Sequence, residues 1–296
     1  MVQVRKLVRA GPSSYTVSLP KDWVEKNGLT KGSPVYVTER SDYEVVISPH
    51  LAPASAAAAR RGEVIINVDG KAIDSIHREI TAAYVNNAGT ITLIGDDVQK
   101  KGGELRRVLH DFVALEIAEQ TGKRMVAKDL LNLSEVGIDN TLRRMDMIVR
   151  AMLQDLAGGK PDEVRIRDYD MNRLYFLLRR LARAALKDKA MAEHLHISAE
   201  QTLGIWTLAE FLESTADAIK SAAQSFPATQ QKKHAAAIQE LLRLFEQAMA
   251  SWFATPKDKA KADRVVREVT KLNLPEHLHS IARGISAIAR LVIDEA

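Results

Sequence analysis

Apolar residues recur at every third or fourth position through most of residues 131–296. Met145, Ile148 and Met152, for example, lie on one stripe of the kind that a helix buries. Glycine and proline residues divide the pattern into six segments, and Ser198 begins the third of them in a capping-box pattern. The predicted helices cover residues 134–157, 162–187, 198–225, 231–253, 258–272 and 274–296. Six helices with short connections favour two three-helix bundles.

The first fifty residues have a different pattern, in which short apolar runs are separated by turn residues. The predicted strands cover residues 2–8, 15–19, 34–38 and 43–47, and a short helix covers residues 20–28. A module of four strands and one short helix is too small to bury much of its own apolar surface. We therefore expect this segment to fold together with a partner.

Strand and helix patterns alternate through the middle of the chain. The predicted elements are strands over residues 63–68, 90–94 and 124–127 and helices over residues 71–86 and 97–121. This alternation favours a small α/β unit, which an alanine-rich linker, residues 52–59, precedes. The predicted fold class is therefore α+β multidomain. Its parts are a small β head over residues 1–50, a small α/β unit over residues 60–130 and a predominantly α-helical body over residues 131–296.

Charge is informative here through its distribution rather than its total. The chain has 42 basic and 38 acidic residues and a net charge of +4, from which nucleic-acid binding does not follow. In the N-terminal segment, however, Arg5, Lys6, Arg9 and Lys21 all precede the first acidic residue, Asp22. This acid-free stretch predicts a local cationic patch.

The sequence contains no cysteine, which excludes disulfides and thiolate metal sites, so any metal must bind through oxygen or nitrogen. It also contains no glycine-rich nucleotide-binding fingerprint. The N-terminus lacks a signal-peptide pattern, and no apolar run approaches the roughly 18–20 residues that are needed to span a bilayer. We expect a soluble, cytoplasmic protein without membrane insertion.

The N-terminal segment resembles the SpoVT/AbrB (swapped-hairpin) DNA-binding domain. The resemblance rests on Arg5, Gly11, Ser13, Ser14, the run Val17–Lys21 with Trp23, and Gly28–Gly32. It implies a homodimer with interleaved hairpins that presents basic residues to DNA. The DNA contacts implied by position are Arg5, Lys6, Arg9 and Lys21, with Ser13 and Ser14 as phosphate donors. The alternative is that these charges only solubilise a dimerisation module, and antitoxins, which share this domain, also bind proteins.

Two predicted helices each place oxygen-bearing side chains four residues apart. Asp168 and Asn172 form one pair, and Glu213 and Asp217 form the other. Residues at i and i+4 point the same way, so two such helices side by side could offer four oxygen ligands to one hard cation. The alternative interpretation is two ordinary solvated acidic faces. Helical phase puts the four residues beside the buried stripes, which predicts a wet, open site on the side face of a bundle.

Residues 60–296 resemble PhoU proteins, the phosphate-uptake regulators. Glu213–Asp217, followed by Ala218 and Ile219, looks like the E/D-x-x-x-D metal-binding signature of that family. Arg167–Leu177 resembles the matching helix of its archaeal-type members. The family builds its helical body from two three-helix bundles, as the hydrophobic pattern also predicts.

The PhoU resemblance implies a divalent or trivalent metal ion, such as Fe, Zn, Mn, Ni or Mg, in the helical body. The implied ligands are Asp168, Asn172, Glu213 and Asp217. Asn172 stands where the family usually has aspartate, and its uncharged amide oxygen predicts weaker binding. In the second bundle, Arg283 stands where a ligand would be, and arginine does not bind metals, so we expect that site to be lost.

Three classes of function compete. The one that we favour is a DNA-binding transcriptional regulator of phosphate uptake and phosphate homeostasis, with an AbrB-like head and a PhoU-like, metal-binding body. The second is an adaptor that docks on a phosphate ABC transporter or a signalling kinase, with a head that only dimerises. The third is a metal-dependent hydrolase. We expect no enzyme activity, because no clear base, nucleophile or oxyanion donor accompanies the acidic residues.

Overall fold

The computed structural model describes residues 4–12, 14–41, 43–49 and 61–295, so the predicted linker lies outside the described residues. The chain divides into two compact units, residues 1–57 and residues 58–296. The second unit holds both the α/β unit and the helical body. Each of these has its own hydrophobic core, and Phe176 packs against both cores. A domain boundary near residue 130 therefore stays a prediction.

The described part of the head contains two small antiparallel sheets and one helix. The elements are β1 Val8–Arg9, β2 Tyr15–Thr16, α1 Lys21–Lys26, β3 Tyr36–Ser41 and β4 Glu44–Ser48. β1 pairs with β2, Val8 opposite Thr16, and β3 pairs with β4, Tyr36 opposite Ser48. Gly11, in the first turn, has a φ of +105°, a conformation that favours glycine. Four strands and one short helix occur in the predicted order, but the first two strands are shorter than predicted, because residues 4–7 and 17–19 lie outside the β1–β2 pairing.

The α/β unit contains a four-stranded mixed sheet and two helices. The elements are β5 Glu63–Asn67, α2 Ile73–Val85, β6 Thr90–Ile94, α3 Gly102–His110, β7 Leu115–Gln120 and β8 Arg124–Asp129. The strand order is β5-β6-β8-β7, with β5 parallel to β6 and the other neighbours antiparallel. Ile91 and Leu93, two residues apart on β6, are fully buried, and Thr92 between them is buried as well, so β6 has buried side chains on both faces. Strands and helices alternate as predicted from β5 to α3, whereas β7 and β8 follow each other directly.

One predicted element of this unit is wrong. Residues 97–121, predicted as a single helix, form α3, a turn and then β7. Ala114, in the turn, has a φ of +58°, which a right-handed helix cannot include. β7 pairs with β8 from Leu115 onward, and Leu115 is buried. Pairing with a partner strand thus overrides the helix preference of the Leu, Glu, Ala and Gln residues in β7.

Residues 131–295 form the predominantly helical body. Its long helices are α4 Ile138–Ala157, α5 Pro161–Lys187, α7 Ala199–Ser225, α9 Ala235–Trp252, α10 Lys259–Lys271 and α11 His279–Glu295, with short helices α6 Lys189–His194 and α8 Ala228–Lys233 and 3₁₀ turns Leu133–Glu135 and Glu276–Leu278. The six long helices correspond to the six predicted ones. The capping box is also confirmed, because Gln201 N–H donates to Ser198 Oγ at 3.1 Å and Ser198 N–H donates to the Gln201 side chain at 2.8 Å. Over the described residues, no helix combines the length and the apolar character that crossing a membrane requires.

The six long helices of the described body pack in two groups of three. Helices α4, α5 and α7 contact one another, and so do α9, α10 and α11. The groups also pack against each other, α4 on α9 and α7 on α11, and their buried residues form one core. Leu212, Phe245 and Ile285 are fully buried in it. Because the two groups share this core, their division into two separate bundles stays a prediction.

Helices α7 and α11 cross closely at Thr215 and Gly284. A Cβ atom added to Gly284 would clash with Oγ1 of Thr215. Thr215 is fully buried, and its hydroxyl donates to the carbonyl of Phe211, one turn earlier in α7, at 2.6 Å. The missing side chain at residue 284 therefore allows the two helices to approach each other.

A buried arginine joins the helical body to the α/β unit. Arg180, on α5, forms an ion pair with Asp129, the last residue of β8, and both side chains are fully buried. Arg180 also donates to Oδ1 of Asn87 at 2.7 Å and lies over the ring of Tyr84, 4.7 Å from its centroid. Arg61 forms a second ion pair with the same aspartate. Two guanidinium groups thus satisfy a carboxylate that would be costly to bury alone.

Candidate nucleic-acid interface and acidic cluster

The predicted DNA-contacting cations lie on the exposed surface of the head. Arg5, Lys6 and Arg9 all belong to the exposed stretch that leads through β1. Arg9 Nε donates to the carbonyl of Gly11 at 3.1 Å, which orients this side chain along the hairpin turn. Lys21 begins α1, and its 84% exposed side chain lies 3.5 Å from Glu25, a distance at which an exposed ion pair contributes little. These side chains are accessible to a polyanion.

The serines of the hairpin turn fit the predicted role of phosphate donor less well. The hydroxyl of Ser14 donates to the carbonyl of Ala10. In return, the N–H of Ala10 donates to the carbonyl of Ser14 at 3.0 Å. A hydroxyl has one proton, so Ser14 cannot donate to phosphate while this bond holds. Ser13 lies outside the described residues. Both serine contacts stay predictions.

Apolar side chains of the head are unusually exposed in a single chain. Val4, Leu7 and Tyr15 are 93%, 69% and 67% exposed, and Val37 and Tyr43 are 63% and 100% exposed. In the described part of the head, every side chain of known exposure is at least partly exposed. Apolar surface of this extent in a folded module calls for a partner that covers it.

The acidic cluster between α5 and α7 contains a lysine that the predicted ligand set does not include. Lys220 Nζ donates to Asp168 Oδ2 at 2.8 Å and to Asp217 Oδ1 at 3.0 Å. Asp168 lies on α5, and the other two lie on α7, so the ammonium bridges the helices. Burial lowers the pKa of Lys220, but the hydrogen bonds to the two carboxylates and their negative charges together raise it above its usual value. The lysine is therefore charged at neutral pH.

The other two predicted ligands join this cluster in different ways. Asn172 Nδ2 lies 3.4 Å from Asp168 Oδ2, one turn away on α5. Glu213 is partly buried, and its pKa is raised to about 7, first by burial and then by the charges of Asp217 and other nearby carboxylates. Hydrogen bonds therefore link Asp168 to Asn172 directly and to Asp217 through Lys220. Glu213 interacts with the cluster through the charges of the nearby carboxylates.

The cluster is less exposed than a side-face position implies. Asp168 is only 7% exposed, because α7 packs against α5 along this side. Burial raises the pKa of Asp168 above its usual range, and the hydrogen bond from Lys220 opposes that effect. The side chain of Asp217, in contrast, is 51% exposed. The prediction of a wet, open site is thus wrong at Asp168 and holds only at the outer edge of the cluster.

The cluster does not fit a metal ion in the arrangement that the structure shows. A hard cation needs free carboxylate oxygens, and Lys220 donates to two of the four predicted ligands. Its positive charge would also repel a second cation. Across the described ranges, no three His, Cys, Asp or Glu side chains form a group suited to hold a metal ion. Metal binding by Asp168, Asn172, Glu213 and Asp217 therefore stays a prediction.

The sequence pattern aligns Arg283 and His279, at the start of α11, with the two acidic positions of α7. Arg283 donates to Oγ of Ser280 at 2.8 Å, and Nε2 of His279 lies 3.0 Å from the carbonyl of Leu274. These are local contacts at the start of α11. The loss of a second acidic site stays a prediction.

Comparison with known proteins adds a family for the head alone. Residues 8–53 match the family model described as "Antidote-toxin recognition MazE, bacterial antitoxin". No curated protein and no solved structure matches the chain. The match covers a small part of the 296 residues. None of the comparisons supports the resemblance of residues 60–296 to PhoU proteins. The similarity of residues 8–53 to a MazE/AbrB-type antitoxin domain supports an N-terminal swapped-hairpin head of DNA-binding or regulatory type.

Proposed function

We propose that this chain is a DNA-binding regulator, in which a dimeric head contacts DNA and the helical body serves as a sensor or docking module. The match of residues 8–53 to an antitoxin domain carries the proposal. The exposed cations at Arg5, Lys6, Arg9 and Lys21 supply the chemistry, since basic side chains on one acid-free segment attract the phosphate backbone.

The finer proposal is that the regulated process is phosphate uptake and phosphate homeostasis. It rests on the resemblance of residues 60–296 to PhoU proteins. Cytoplasmic location and the lack of catalytic activity belong to the same proposal. A genome-wide DNA pull-down with the full chain, from cells grown at high and at low phosphate, tests it. Enrichment of sites near phosphate-transport genes that changes with phosphate would support it, and phosphate-independent sites elsewhere would contradict it.

Replacing Arg5 and Arg9 together by alanine should weaken DNA binding for all sequences alike. Each lysine or arginine that neutralises a phosphate adds about 0.9 to the slope of log K against log salt concentration. Two lost contacts should therefore flatten the slope by about two units. The measurement is the affinity of the full chain for duplex DNA across a salt series.

The matched control is the double variant Lys26→Ala and Lys31→Ala, which removes two exposed cations of the head outside the N-terminal patch. It should keep the wild-type slope. Equal slopes for the wild type and the Arg5→Ala, Arg9→Ala variant would place the DNA contacts elsewhere. No salt-dependent DNA binding by the wild type would refute the proposed function itself.

The full chain should sediment as a dimer at micromolar concentration, because the apolar surface of the head needs a cover. Val37→Glu, at a position that is 63% exposed in the single chain, should favour the monomer. Leu203→Glu places the same charge at a 65% exposed position of the helical body and should leave the dimer intact. A monomeric wild type with a folded head would overturn the dimer.

The alternative function is an adaptor whose head binds protein rather than DNA. The matched family is described by the recognition of a toxin, and the exposed apolar residues of the head suit a protein surface as well as a second copy. In that case Val37→Glu would abolish the protein partner's binding, while the wild type would show no salt-dependent affinity for DNA. A phosphate transporter or a signalling kinase would then be the partner of the body.

A further inference from the structure

We propose that Lys220 is a built-in cation. Its ammonium takes the place that a metal ion would occupy between Asp168 and Asp217, so it links α5 to α7 with no metal bound. The proposal concerns the helical body alone and does not depend on DNA binding by the head.

The geometry of the bridge supports a fixed position for the ammonium. Lys220 Nζ lies 2.8 Å and 3.0 Å from carboxylate oxygens of two different helices, distances typical of charge-assisted hydrogen bonds. The lysine side chain is only 30% exposed, and that of Asp168 is 10% exposed. A partly buried stem and two strong acceptors therefore hold a side chain that would otherwise move freely.

Charge balance explains why a cation is needed at this position. Asp168 is nearly buried, and Asp217 and Glu213 add like charges beside it. Carboxylates held this close repel one another unless a cation lies between them. The ammonium already supplies positive charge at this position, and that charge would repel a second cation. Removing the ammonium should therefore turn the cluster into a site for a hard divalent cation.

The test compares melting temperatures of the full chain after chelation and across a series of Mn²⁺ concentrations. The wild type should show no Mn²⁺ dependence. Lys220→Met and Lys220→Gln should melt at a lower temperature in chelated buffer and regain stability as Mn²⁺ is added, because a ligand that binds only the folded state stabilises it. The two variants differ in polarity, so the result does not depend on how well either side chain packs.

Lys160→Met is the matched control. Its side chain is 63% exposed and lies 4.0 Å from Asp155, so the variant loses a lysine that faces a carboxylate outside the cluster. It should show no response to Mn²⁺. In the Lys220→Met background, Asp217→Asn should reduce or remove the Mn²⁺-dependent rise, which assigns that rise to the cluster.

Two results would overturn the proposal. A Mn²⁺-dependent rise in the wild type as large as that in the Lys220 variants would show that the ammonium does not occupy the cation position. Lys220 variants with wild-type melting temperatures and no response to Mn²⁺ would show that the cluster needs no cation. Equilibrium dialysis gives a second readout, with bound Mn²⁺ expected in the variants and none in the wild type.

Discussion

Replacing Arg180 by methionine is expected to destabilise residues 61–295 by about 3–5 kcal/mol, the cost of breaking a buried ion pair from one side. Methionine fills much of the same volume, but the fully buried Asp129 then keeps one of its two ion pairs, to Arg61, and the hydrogen bond from the N–H of Leu131. Asn87 also loses the donor at 2.7 Å. The free energy of unfolding, measured by chemical denaturation, gives the size of the effect.

The control lies on the same helix. Arg165→Met removes an arginine that is 72% exposed and lies 3.9 Å from the exposed Asp162. This change should lower the free energy of unfolding by less than about 1 kcal/mol. The losses from Arg180→Met and Asp129→Asn should not add when the two changes are combined, because Arg180→Met has already removed one of the two ion pairs of Asp129. A small effect of Arg180→Met, comparable to that of Arg165→Met, would mean that this ion pair does not hold the α/β unit to the body.

Glu213→Gln is expected to stabilise the chain above about pH 7. It should also remove most of the fall in stability that the wild type shows as the pH rises from 4.5 to about 7. Burial and nearby carboxylates raise the pKa of Glu213 from 4.5 to about 7. In this interval the folded chain holds a proton that the unfolded chain releases, so the free energy of unfolding falls as the pH rises. At about 1.36 kcal/mol for each pKa unit, the effect reaches roughly 3 kcal/mol.

Denaturation of the wild type and the variant at a series of pH values measures this effect. The two curves should coincide below the unfolded pKa of 4.5 and separate as the pH approaches about 7. Glu163→Gln, at an exposed position of α5, should run parallel to the wild type throughout. Parallel curves for Glu213→Gln as well would show that Glu213 ionises in the folded chain as it does in the unfolded one.

The fold of the body could be predicted from the sequence because its signals are local. The stripe that includes Met145, Ile148 and Met152 repeats within one helix, and Ser198 and Gln201 make their capping bonds within one turn. Prediction failed where a distant partner decides. β7 has helix-favouring residues, but its pairing with β8 makes it a strand.

The acidic cluster shows the same limit. Its acidic members could be found by their i,i+4 spacing, and Lys220, three residues after Asp217 on α7, also had a local signal, since residues at i and i+3 lie on one face. That the ammonium reaches Asp168 depends on how α5 and α7 pack, which no spacing along one helix reveals. For the same reason Asp168 is more buried than its helical phase suggests. The contact between Arg180 and Asp129 joins residues that are far apart in sequence, and no pattern within either segment predicts it.

The close crossing of α7 and α11 limits how the acidic cluster can respond to a ligand. Helix α7 carries Glu213, Asp217 and Lys220 towards α5, and at Thr215 it packs directly on the backbone at Gly284. Closely packed helices do not slide gradually, since a shift requires a second, equally well packed position. Any rotation of α7 towards α11 would bring Thr215 against main-chain atoms. A change of cation in the cluster should therefore change which side chains contact one another at the surface, while the backbone of α7 stays in place.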